Sequence, residues 1–217
     1  METKPAEPLS RNAGISWLVS RIRPRAGRTL VGIDGLDGAG KTTFADDLAA
    51  ELTDSGLTVI RISLDNFLNP AAVRHAKGRT SPEGFLADTY DYERIVDDAL
   101  EPLSAEGCGR YRDRSYDLST ESPLTSPWQV APDAAVVIVN GLFLHRNRLR
   151  NARGRKLWDL SVWLEVPFEV SVGRLAARDG SPSEVEDPRI RRYVEGLRTY
   201  IERYHPAERA DLVVDNA

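Results

Sequence analysis

The apolar positions fall into short continuous runs that alternate with stretches of helical spacing. Leu9, Ile15, Leu18, Val19 and Ile22 approximate one helix face, and Pro24 and Gly27 close that segment. TLVGID (29–34) reads as an apolar strand. TTFADDLAAELTDSG (42–56) reads as a helix carrying Phe44, Leu48, Ala49 and Leu52 on one side and stopped by Gly56. LTVIRI (57–62) is a second strand. Residues 63–90, broken by Pro70, Gly78, Pro82 and Gly84, predict a long irregular excursion, a kind of loop that in compact domains is usually functional or mobile. A helix over 92–103 and a turn-rich stretch over 104–131 follow, the latter with a short hairpin around YRDRSYDL. AAVVIVN (134–140) is the most continuous β-branched run and predicts a fully buried strand. LSVWLEV (160–166) is another strand, leading through Pro167 into a helix that runs to about Arg178. A helix over 187–205 and a strand over 210–216 complete the chain. Strands alternating with crossover helices predict a parallel sheet covered on both faces.

Composition narrows the setting without naming a chemistry. With 41% apolar and 29% charged residues in 217, the chain has the makeup of a globular protein with one core. A net charge of −4 and a pI near 5.5 give no sign of a dominant nucleic-acid surface. The single cysteine, Cys108, excludes an internal disulfide and a cysteine-rich zinc site, and the three histidines lack the spacing of a metal site. No run is apolar enough to cross a bilayer, and the first residues lack the apolar core of a secretory signal, so the expected setting is cytoplasmic. The oligomeric state is not legible; the long excursion would suit either a homodimer surface or a flap.

GIDGLDGAGKTTF (32–44) carries four glycines and a lysine across the junction of the first strand and its helix. Gly35 to Thr42 fits G-x-x-x-x-G-K-[ST] in full, with the strand before and helix after that the motif requires. The physical content is a tight loop whose N–H groups converge on an anion, where a Cβ would block the approach. The helix N-terminus adds unpaired N–H groups and the positive end of its dipole. Gly35, Asp37, Gly38, Ala39, Gly40, Lys41, Thr42 and Thr43 are therefore the expected nucleoside triphosphate residues. Lys41 is placed to reach the β- and γ-phosphates and the Thr42 hydroxyl to bind Mg²⁺. Asp65, in SLDNFL just past the second strand, stands at a strand's carboxyl end. From spacing alone it reads equally well as a group that engages an attacking hydroxyl or as a turn cap.

The ordered set GLDGAGKTT, SLDNFL, VIVNGLFL, VWLEV…VGRLAARD and RYHPAERADLVVDN resembles the uridine kinase/phosphoribulokinase group. It is most similar to uridine-kinase-like P-loop proteins of high-GC bacteria, over residues 28–216. The resemblance implies a P-loop NTPase three-layer α/β sandwich with a five-stranded parallel sheet and helices on both faces. It divides the chain into an N-terminal segment, 1–27, with its helix, and a kinase domain, 28–217, bearing an acceptor-site excursion (63–131) and a lid (about 174–192). Asp65 matches the family's proposed catalytic base. Arg174 and Arg178, four apart on one helix face, match the start of the lid over the transferred phosphate. KGRTSPEGFLADTYDYE (77–93) matches the acceptor segment, which makes Arg79, Glu83, Asp88, Tyr90 and Tyr92 the expected acceptor contacts; the plainer reading has the tyrosines anchoring the next helix.

One position departs from that pattern. Where the family has an acid after its buried strand, this chain has Asn140, which keeps a carbonyl acceptor but removes the charge. Thr42 and Asp65 then carry the Mg²⁺ with Asn140 orienting water, or transfer is weakened and the chain is a nucleotide-binding regulator. The resemblance favours an ATP- and Mg²⁺-dependent kinase acting on a small-molecule hydroxyl, uridine or cytidine first. Nicotinamide riboside, pantothenate and sugars are further acceptors, and neither nucleic acid nor membrane is expected as a partner.

Overall fold

The computed structural model describes residues 4–22, 27–150 and 157–217. Pro24, expected to close the first helix, lies outside the described residues. A parallel sheet of six strands runs through the molecule: β1 (Leu9–Ser10), β2 (Thr29–Gly35), β3 (Val59–Ser63), β4 (Val136–Asn140), β5 (Leu160–Glu165) and β6 (Leu212–Asp215), in the order β1-β6-β5-β2-β4-β3. The five expected strands are present. The sixth is the two-residue edge β1, which pairs Leu9 with Val214 and Ser10 with Asp215. Two residues carry no readable period, so the pattern absorbs them into the helix that follows. That helix, α1 (Arg11–Arg21), starts two residues later than its spacing suggests.

Register assigns the two faces. Ile33 pairs with Val162 and Val162 with Leu212, so the three point the same way. Leu212 and Val214 lie against Gly14, which puts α1 on that face, with α2 (Lys41–Asp54) beside it. The opposite face carries Asp34, paired with Trp163. It is covered by α6 (Arg191–Tyr204), whose Tyr200 ring lies 6.4 Å from that of Trp163. The three layers share one core, in which Phe44, Leu48 and Leu52 of α2 and Tyr200 of α6 are wholly buried.

The excursion after β3 is more ordered than its prolines and glycines suggest. A 3-10 turn (Leu64–Phe67) and a single helical turn (Ala71–Arg74) lead to α3 (Pro82–Asp88). Ser81 caps α3, its Oγ accepting from the Gly84 N–H at 3.0 Å, and Pro82 takes the first helical position. α3 docks on α6, with Phe85 edge-on to Tyr193 at 5.0 Å. A helical stretch from Tyr92 to Leu103 (α4), with wider π-type turns over Ile95–Leu100, ends the excursion's helices. The expected hairpin pairs Tyr116–Asp117 with Ser122–Pro123. After β5, α5 (Phe168–Asp179) ends at Gly180 in the left-handed conformation, and irregular chain over 181–190 leads into α6. No described helix is long and apolar enough to cross a membrane.

Candidate functional site

The glycine loop connects β2 to α2 at the carboxyl edge of the sheet. Two of its glycines are required by geometry. Gly38 sits at φ +78°, and a Cβ there would lie 2.6 Å from the Ser171 carbonyl oxygen. Gly40, at φ +84°, is the N-cap of α2. Both take conformations that L side chains rarely adopt, and they let the Ser171 backbone approach Gly38 and the Asn216 side chain approach Gly40 closely. Lys41 Nζ bends back over the loop and donates to the carbonyls of Leu36 (2.7 Å) and Gly35 (3.3 Å). Burial pushes the Lys41 ammonium below its ordinary range, while Asp37, Asp65 and Asp34 pull it back up and Arg178 opposes them. Thr42 and Thr43 are exposed at the head of α2.

Asp65 lies on the 3-10 turn just past β3, with its Oδ1 accepting the Tyr90 hydroxyl at 2.9 Å. The Tyr90 oxygen in turn accepts the Leu142 N–H at 3.2 Å, which ties Asp65 to the loop after β4. Tyr90 is only 1% exposed, and burial, then Asp65, drives its phenol well above the ordinary range. This corrects its expected place: the ring offers no face to an acceptor and instead holds a carboxylate. Tyr92 is buried too. Its hydroxyl accepts from Arg146 at 3.2 Å, and burial pushes it up to about 12. The rest of the acceptor set does not converge on Asp65. Asp88 pairs with Lys77 at 2.7 Å and Glu83 with Arg203 at 3.3 Å, while Arg79 is exposed. His75 Nδ1 lies 2.6 Å from Arg192, which also donates to the Arg79 and Arg74 carbonyls.

Asn140 ends β4 between the strands that lead to the glycine loop and to Asp65, pairing with Ile33 on one side and Ser63 on the other. Its Oδ1 accepts from Arg61 at 3.1 Å, and Arg61 is also paired with Asp46 of α2. The carbonyl oxygen expected to serve a metal is therefore already engaged. Of the expected Mg²⁺ ligands, the Thr42 hydroxyl and the Asp65 carboxylate remain, and both are oxygen donors of the kind that would suit that ion. No cluster of three or more His, Cys, Asp or Glu side chains forms a metal site among the described residues.

The two lid arginines part company. Arg174 donates to the main-chain oxygen of Asn216 at 2.9 Å. Arg178, 64% exposed in its side chain, pairs with Asp179 at 3.0 Å and lies within electrostatic reach of Asp37 and Asp65. A pocket of about 380 Å³ opens between α5 and α6, walled by Phe168, Val172, Leu175, Tyr193 and Leu197. It meets the glycine loop at Asp37 and includes neither Asp65 nor Tyr90.

Several residues of the site gave no sequence signal. Asp34, wholly buried at the end of β2, accepts from the Gly35 N–H (2.8 Å), the Leu144 N–H (3.0 Å) and the Tyr200 hydroxyl (2.5 Å). It thereby joins the glycine loop, the loop after β4 and α6. That second loop contains Phe143 at φ +66°, a left-handed conformation strained for a bulky residue and held by full burial. Burial raises the Asp34 carboxyl above its ordinary value, against the opposing pull of His145, Tyr200, the Gly35 amide and Lys41. A raised folded value means that the stability it carries is greatest below about pH 4 and falls as pH rises through that folded value. Asp34→Asn, which cannot ionise, is expected to flatten this part of the profile in thermal melts between pH 4.5 and 8. A variant slope equal to that of the wild type would show that Asp34 does not titrate in that window.

Comparisons with known proteins agree on the loop and the layers around it. The family model of the methylmalonyl-CoA mutase-associated GTPase MeaB matches residues 6–71, less than a third of the chain. A uridine kinase of Leuconostoc citreum is 25% identical over 69% of this chain and 68% of its own length. A thymidylate kinase of Bradyrhizobium sp. is 32% identical over 81% of this chain and 76% of its own. Among solved structures, that of a possible uridine kinase from Bacillus stearothermophilus superposes with a TM-score of 0.71 at 24% identity, covering 94% of this chain and 98% of the other.

Proposed function

The chain belongs to the uridine kinase/phosphoribulokinase-like P-loop kinases, and from that premise we propose that it transfers the γ-phosphoryl group of ATP to a hydroxyl of a small metabolite, a nucleoside 5′-hydroxyl first. The observation that carries the reading is the Asp65 carboxylate. It stands at the same sheet edge as the glycine loop, is fixed by Tyr90, and lies within electrostatic reach of Lys41 and Arg178. A nucleotide switch would use such a group only for its metal, whereas an acceptor hydroxyl also needs one to orient it and take its proton.

In this reading the loop amides and the head of α2 bind the phosphates, and Lys41 leaves the Leu36 carbonyl to reach the β- and γ-oxygens. Thr42 and Asp65 hold Mg²⁺, which when bound neutralises charge across the phosphate oxygens. Asp65 aligns the acceptor hydroxyl and receives its proton, and Arg178 compensates charge on the transferred group as 181–190 closes. Catalysis is then chiefly positioning and electrostatics.

A second reading rests on the thymidylate kinase relative, whose name denotes a nucleotide as the acceptor. ADP release from Mg·ATP separates the two. The panel holds uridine, cytidine, nicotinamide riboside, pantothenate, several sugars, UMP and dTMP. Stimulation by one hydroxyl acceptor supports the proposal, stimulation by a monophosphate alone favours the second reading, and ATP binding with no stimulation turns the chain into a nucleotide-dependent regulator.

A further inference from the structure

Two side chains far from the glycine loop in sequence each hold one of its carbonyls. Ser171 Oγ, in the first turn of α5, donates to the Asp37 carbonyl at 2.5 Å. Asn216 Nδ2, just past β6, donates to the Ala39 carbonyl at 2.7 Å. Neither bond is incidental to its donor. Ser171 is 3% exposed, and its own main-chain oxygen closes on Gly38. Asn216 is held at three further atoms: its N–H donates to Glu165 O (3.0 Å), its Oδ1 accepts from Arg11 (3.0 Å) and its main-chain oxygen accepts from Arg174 (2.9 Å). Arg11 is itself anchored by Asp47 of α2 at 2.5 Å.

A trans peptide is planar, and its N–H points opposite to the C=O before it. Fixing the Asp37 carbonyl therefore fixes the direction of the Gly38 N–H, and fixing the Ala39 carbonyl fixes that of the Gly40 N–H. Gly38 and Gly40 are the two loop positions with positive φ and no side chain to resist rotation of the peptide plane. Left alone, those peptides would be the most mobile in the loop. We propose that Ser171 and Asn216 are positioning residues for the phosphate cradle: each holds one peptide plane so that the Gly38 and Gly40 N–H groups are aimed at phosphate before the nucleotide arrives. This rests on the kinase reading only in taking the loop as the triphosphate site.

The same bonds redefine the lid. Through Ser171 and Arg174, α5 is tied to the glycine loop and to the strand end that clamps it. The part free to close thus begins after Gly180, and Arg174 belongs to the clamp.

The test is isothermal titration of Ser171→Ala, Asn216→Ala and the double variant with Mg·ADP and with tripolyphosphate, which carries no base or sugar. Ligand-free melting temperatures are measured beside them. One ordinary hydrogen bond per peptide predicts that each single variant weakens both ligands by roughly three- to tenfold, and the double variant by about the product. Ligand-free melting would fall by only a few degrees. Because the two residues lie on different elements, misfolding of one variant leaves the other as the test. Wild-type affinity for tripolyphosphate in both single variants overturns the proposal. So does a loss confined to ADP, which would move the two residues to the nucleoside end. A wild type that binds neither ligand overturns the triphosphate site itself.

Discussion

Lys41→Ala is expected to lose at least about 100-fold in affinity for Mg·ATP, since charged hydrogen bonds to a phosphate contribute about 1.5–3 kcal/mol each. The free protein should be little affected. Lys41 Nζ satisfies two loop carbonyls, Leu36 and Gly35, but burial already depresses its ammonium, so the bonds are offset by desolvation. Calorimetry with Mg·ADP and ligand-free melting separate the two effects. A variant that binds ADP as tightly as the wild type would remove the lysine from the phosphate site. One that melts far below it would make Lys41 chiefly a brace for the loop.

The parts of this site that were legible in the sequence are those whose chemistry is local. The strand–loop–helix unit over 29–54 shows itself because period, glycines, lysine and threonine are contiguous. Asp65 was legible as a position, a carboxylate at a strand end, but its fixation by Tyr90 was not, because a Tyr two residues before another Tyr looks equally like a ligand platform. Ser81-Pro82-Glu83 carries an ordinary helix-start signal; Gly84 and the brevity of α3 mask it. Asp34 passes for a loop-edge polar residue, and only folding brings Tyr200 to it from 166 positions away. Ser171 and Asn216 act across 134 and 177 positions on main-chain oxygens, and no side-chain pattern reports a contact with a carbonyl.

Asn140 shows how a departure from a family pattern acquires a physical reading. An acid there would face the same Arg61 that now donates to the amide oxygen, so its charge would be largely paired to Arg61 and, through it, to Asp46. With asparagine the Arg61–Asp46 pair balances itself, and in the proposed mechanism the acidic chemistry of the edge falls on Asp65. Arg174 is revised in the opposite direction: its bond to Asn216 joins it to the proposed clamp, and in the proposed mechanism Arg178 is the arginine of that helix left to compensate charge on the transferred group.

That concentration of roles sets the largest expected loss of turnover. Asp65→Asn should reduce kcat by about 10²-fold or more, the contribution typical of a positioned general base, with the affinity for Mg·ADP changed by much less. The amide keeps an oxygen that can accept the Tyr90 hydroxyl, so the turn survives while the group that takes the proton is gone. Tyr90→Phe provides the control from the other side of the same bond. It leaves the carboxylate but frees it to rotate, and it strips the Leu142 N–H of its acceptor. A fall in kcat of roughly three- to tenfold is expected, the equivalent of about one hydrogen bond. Steady-state kinetics on both variants with the best acceptor, alongside ADP titration, decide the assignment. If Asp65→Asn loses ADP affinity in step with kcat, Asp65 serves the metal alone and its role toward the acceptor hydroxyl falls. If Tyr90→Phe is as slow as Asp65→Asn, the catalytic quantity is the direction of the carboxylate, because both variants leave an oxygen there and neither leaves a carboxylate held in place.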